Sequence, residues 1–119
     1  MALDVKAALA RLGDDEALFR EFVGFYDEDH PRFVEALKAA VAARDGEAIH
    51  HTAHGLKGLA ASLGATEVVG VLAKLERLGR SKDLSELVEL MARLQSEMRE
   101  LDQELRPYRV PATPSGRAR

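Results

Sequence analysis

The chain has 119 residues, 46% hydrophobic and 31% charged, with a net charge of −3 and no cysteine. That is one domain's worth of sequence, enough for a single modest core. The absence of thiols excludes disulfides, Cys-ligated zinc and iron–sulfur chemistry, and no apolar run reaches the ~18 residues of a membrane span.

The charge is unevenly spread. Residues 106–119 hold four Arg and no acid, while residues 1–105 hold 13 basic and 20 acidic residues. An acidic body argues against nucleic acid as the main partner. The N-terminus has neither a basic start nor a sustained apolar stretch, so no signal peptide is expected; a cytoplasmic protein, or a soluble piece of a larger one, is. Two regions are expected: a helical bundle over residues 1–106 and a disordered tail over 107–119, where three Pro, one Gly and little apolar content leave nothing to pack.

Apolar residues recur at spacings of three and four, which predicts helices throughout. The first is short, about Asp4 to Leu12, closed by Gly13. Asp14 or Asp15 caps a second stretch carrying Leu18, Phe19, Phe22, Val23, Phe25 and Tyr26. Pro31 predicts a kink or a fresh first turn, because it lacks a backbone donor and disfavours helix before it. The pattern resumes with Phe33, Val34, Leu37 and Val41 and stops near Asp45–Gly46. A helix over about Glu47 to Leu63 has the seam Ile49, Ala53, Leu56, Ala60, Leu63, with Gly64 as its stop. Another runs from about Thr66 to Leu78 and ends at Gly79. Ser81 or Asp83 caps the last, whose seam is Leu87, Met91, Leu94, Met98, Leu101, Leu105, and Pro107 ends it. Short connections make these neighbours antiparallel, which predicts an all-α, up-down four-helix bundle with an additional short N-terminal helix.

On the helix over 47–63, Leu56 lies about 160° and Ile49 about 140° around the axis from His54, so His54 points away from the seam. Around the axis from His54, Lys57 lies about 60° away, His50 and Gly58 about 40° and Ala61 about 20°. The outward face therefore carries His50, His54, Lys57, Gly58 and Ala61. A solvated residue is the ordinary meaning of an exposed histidine. Gly58 is harder to dismiss, because Gly inside a helix costs ~1 kcal/mol against Ala and usually marks a close approach. Gly55 is a second such cost, with no account in the sequence.

Phosphoryl transfer makes sense of the set. An imidazole nitrogen that attacks phosphorus must be neutral and exposed, and a reference pKa of ~6.5 supplies a neutral fraction near pH 7. A cation one turn away can sit beside the phosphoryl oxygens. Small residues at 58 and 61 leave room for another protein's active site. The chemistry asks for little beyond positioning and charge.

The run AHGLKGLAASLGA, Ala53 to Ala65, resembles the signature of histidine-containing phosphotransfer (HPt) domains. The upstream LFREFVGFYDEDHPRFVEALKAAVAARD resembles the two amphipathic stretches that precede that signature, and the likeness covers about residues 3–102. The resemblance implies that His54 accepts and donates the phosphoryl group through Nε2, that Lys57 steadies it and that Gly58 permits close docking. It implies response-regulator receiver domains and a hybrid sensor histidine kinase as partners, the receiver bringing the acceptor Asp and Mg²⁺. No cofactor or metal of the chain's own, no autonomous kinase activity, no membrane contact and a monomeric state are expected. One departure is Leu59, where the family commonly has a small residue; its place beside Leu56 predicts packing.

Three rivals remain at this stage. His50 and His54 are spaced to share a metal ion, but no third ligand accompanies them. A kinase dimerisation domain would need an ATP-binding partner domain, and no Gly-rich nucleotide motif occurs. A non-catalytic interaction bundle that binds receivers would be unaffected by His54→Ala.

Overall fold

Three of the helices begin where an aspartate accepts a hydrogen bond from the first helical turn. The carboxylates of Asp4, Asp15 and Asp45 take the backbone N–H of Ala7, Leu18 and Ala48 at 3.0, 3.0 and 3.1 Å. Each satisfies a donor that the helix itself cannot. In the computed structural model, which describes residues 4–81 and 83–109, these caps open α1 (Val5–Arg11), α2 (Glu16–Ala42) and α3 (Gly46–Ser62). Two more helices follow, α4 (Thr66–Ser81) and α5 (Leu87–Leu105), and a 3₁₀ turn covers Arg106–Tyr108. Gly13 and Gly64 have φ of +66° and +74°, the left-handed geometry in which a helix reverses into a turn.

Connections of three residues link α2 to α3 and α3 to α4, so these helices run antiparallel and side by side. Helices α2 to α5 form the up-down four-helix bundle, with α1 laid across the α3–α4 turn, where Asp4 N–H meets the Gly64 carbonyl at 3.3 Å. The predicted seam of α3 is the centre of the core: Ile49, Ala53, Leu56, Ala60 and Leu63 are wholly buried. Val68, Val71, Leu72 and Leu75 of α4 and Leu87, Leu94, Leu101 and Leu105 of α5 close on it. Each such Leu contributes roughly 1.5–3 kcal/mol by leaving water.

Four expectations are corrected. Pro31 does not divide α2, which runs unbroken through it. Pro31 has no N–H to offer the Asp27 carbonyl, a loss that burial on both sides outweighs. Tyr26 and Leu37 are buried, the His30 ring stacks on Tyr26 at 4.3 Å, and His30 Nδ1 donates to the Tyr26 carbonyl at 2.8 Å. Gly79 does not end α4, which continues to Ser81. A Cβ at 79 would lie 2.5 Å from the Gly46 carbonyl oxygen and 2.7 Å from the His50 nitrogen, so this glycine lets two backbones cross. Neither Ser81 nor Asp83 caps α5, which starts at Leu87 behind Glu86. Asp83 is turned to the N–H and hydroxyl of Ser85 instead. Finally, residues 107–109, expected in the tail, pack on the bundle. Tyr108 meets Phe19 edge-on at 5.1 Å, and Arg109 grips Asp27 through two 2.9 Å bonds and Asp102 at 2.8 Å. The stretch 110–119, where the disordered tail was also expected, lies outside the described residues.

No helix among the described residues is long and apolar enough to cross a membrane.

Candidate functional site

The cap at Asp45 and the buried seam fix the rotation of α3, and that rotation turns His54 outward. Its side chain is 68% exposed. Glu76 of α4, only 14% exposed, reaches across and binds α3 twice. Its Oε2 lies 2.7 Å from His54 Nδ1 and its Oε1 lies 2.5 Å from Lys57 Nζ. A carboxylate only accepts, so the proton of a neutral His54 ring belongs on Nδ1, and Nε2 keeps its lone pair on the open side. The Lys57 hydrogen bond is the main cause that holds the Glu76 carboxyl below the usual carboxylate range; burial opposes it, and the His54 bond adds to it.

His50, one turn back, is half-buried. Its Nδ1 donates to the Glu76 backbone carbonyl at 3.1 Å, and its Nε2 accepts from Arg80 Nη2 at 3.2 Å. Both of its ring nitrogens are thus engaged, whereas His54 keeps one open. The His50 and His54 rings lie 6.4 Å apart and nearly parallel. Among the described residues no group of three or more His, Asp or Glu side chains is gathered for a metal ion.

Gly58 is exposed, and a Cβ there would meet nothing within 4 Å. Ala61 is exposed too, and its carbonyl accepts from Arg11 at 3.3 Å. Beside His54, α3 therefore presents a low, open surface in the direction of its C-terminus. Leu59 is half-buried against the core, as its place by Leu56 predicted. Gly55, unexplained by the sequence, admits a ring from α2: a Cβ there would lie 2.5 Å from Phe33 Cε1.

The structure therefore brings His54 and Lys57 together through a residue that sequence reasoning missed. On α4 alone, Glu76 looks like one more surface acid. The signal available was the hairpin register: after a three-residue turn, each turn back along α3 matches one turn onward along α4. That register sets Glu76 opposite His54 and Arg80 opposite His50.

The family model of the Hpt domain matches residues 17–104. Among solved structures, the chain is similar to histidine-containing phosphotransfer protein B (HptB) from Pseudomonas aeruginosa PAO1. The match has a TM-score of 0.77 and 26% identity, covering 91% of this chain and 97% of that one. No curated protein matches the chain.

Proposed function

The chain belongs to the Hpt domain family, whose work is histidine phosphotransfer in phosphorelays, and from that premise we propose that His54 is its phosphoacceptor and donor. The Nε2 lone pair attacks the phosphorus of a receiver's aspartyl phosphate. An N–P bond forms, the acyl O–P bond breaks, and its electron pair stays on the aspartate carboxylate. Nδ1 keeps its proton, so the ring becomes positive. The Glu76 carboxylate, 2.7 Å away, opposes that charge, as the buried acid of a serine-protease triad does for its imidazolium. Lys57 lies beside the phosphoryl oxygens and steadies them. Onward transfer reverses these steps on a second receiver's aspartate.

Gly58 and Ala61 leave space for the receiver, which brings its own Mg²⁺, and His50 borders the docking face. The chain itself takes no nucleotide and has no kinase activity of its own. It is loaded by a receiver domain or a hybrid sensor histidine kinase, and it works as a cytoplasmic monomer.

The observation that carries this reading is the contact of His54 Nδ1 with Glu76, which leaves Nε2 exposed as the nucleophile. The test is a transfer assay from radiolabelled receivers onto the parent and His54→Gln. Acid-labile, alkali-stable label on the parent alone is expected. Label that persists on His54→Gln would sink the assignment. No label from a broad receiver panel, with the protein folded, would favour a non-catalytic bundle that only binds receivers.

A further inference from the structure

A phosphoryl group brings about two negative charges to the site. The cation that α3 supplies beside His54 is already matched, because Lys57 lies 2.5 Å from Glu76. A loaded site with these two side chains alone would keep uncompensated negative charge. One turn back along the hairpin, Arg80 is a cation held by a neutral partner. Its guanidinium donates to the neutral Nε2 of His50 at 3.2 Å, and among the described residues it forms no ion pair with a carboxylate. It is also exposed.

Resting on the assignment of His54 above, we propose that Arg80 is the second phosphoryl-binding cation, parked on His50 while the site is empty and transferred to the phosphoryl oxygens when His54 is loaded. The distance suits the side chain. His50 and His54 are one helical turn apart, a rise of about 5.4 Å, with ring centroids 6.4 Å apart. His50 is a suitable resting place because the Glu76 carbonyl holds its other nitrogen at 3.1 Å, which fixes Nε2 as the acceptor. Arg80 then exchanges a hydrogen bond to a neutral ring for charge-assisted bonds to a phosphoryl group, which the planar guanidinium can make in pairs. His50 holds Arg80 only while the site is empty and takes no part in the loaded state or in the bond changes.

The experiment uses phosphoramidate, a small phosphodonor that loads histidine without a receiver. Parent, Arg80→Gln, Arg80→Lys and His50→Ala, each shown folded by circular dichroism, are loaded, and the lifetime of the phosphohistidine is followed. NMR of the Arg80 side-chain N–H is recorded before and after loading. Arg80→Gln is expected to shorten the lifetime by about fivefold, the scale of an exposed ion pair. Arg80→Lys should restore part of it, His50→Ala should keep it, and the Arg80 resonance should move on loading. An unchanged lifetime in Arg80→Gln, or an unmoved Arg80 resonance, overturns the proposal while leaving the carrier function standing. A His50→Ala loss as large as that of Arg80→Gln overturns it too, because Arg80 would then act only through the resting contact. If the parent takes no His54-dependent label, the carrier reading falls first and this one with it.

Discussion

Glu76 holds two α3 side chains with one carboxylate, so its removal should be felt in the chemistry before it is felt in the fold. Glu76→Gln keeps the shape but loses the charge opposite the developing imidazolium. Phosphorylation of His54 by phosphoramidate is expected to slow by about ten- to a hundredfold, the worth of one hydrogen bond to a charged group, with little change in circular dichroism. The same residue gives a pH dependence of stability. Its carboxyl is held below the ordinary range, chiefly by Lys57. The stability it contributes is therefore complete above that range and is lost as pH falls through the lowered value. Acid unfolding of the parent and of Glu76→Gln should converge at low pH; curves that stay parallel to the acid end would contradict this. At this scale the outward placing of His54, Lys57 and Gly58 was legible in the sequence, because one helix carries all three and its seam fixes their direction. Glu76 was not, because its meaning depends on a second helix and on the register between them.

The helices tell the same story through their glycines and their proline. Gly58 faces open space and Gly79 faces the backbone of α3, so the same substitution should act in opposite directions. Gly58→Ala is expected to stabilise by about 1 kcal/mol through helix propensity, and Gly79→Ala to destabilise by about 2–3 kcal/mol through overpacking. Urea unfolding measures both; equal signs would refute the crossing described for α3 and α4. Pro31→Ala should restore the missing bond to the Asp27 carbonyl and raise stability by up to ~3 kcal/mol. The element boundaries that were hardest to read lie at these residues. A glycine that ends a helix and a glycine that lets helices touch are identical in sequence, and only the partner backbone distinguishes them. Pro31 is similar: its local preference was read correctly, and the packing of Tyr26, Phe33 and Leu37 outweighed it.

At the scale of the molecule, residues 106–109 clasp the N-terminal half of α2 to the end of α5. Arg109 bonds Asp27 of α2 through two nitrogens and Asp102 of α5 through a third contact, and Tyr108 lies against Phe19. Arg109→Ala is expected to cost about 1 kcal/mol, because the paired groups are a quarter to a half exposed and solvent weakens such pairs. Truncation after residue 105 should cost more by removing Tyr108 as well; calorimetric melting separates the two. Composition suggested a tail from 107 onward, since Pro and Arg carry no apolar periodicity. Arg109 depends on Asp27, 82 residues away, and Tyr108 on the Phe19 ring, which no local pattern reveals.

The sharing of Lys57 with Glu76 has a consequence for traffic. A lysine free to grip its cargo would fill and stay full. On the proposed roles, a lysine already neutralised grips the cargo less than a free one would, which brings loading and unloading closer in free energy. On the proposed function, the direction of net flow is then set by how much of each receiver stands charged or discharged, which makes the chain a reversible junction between them.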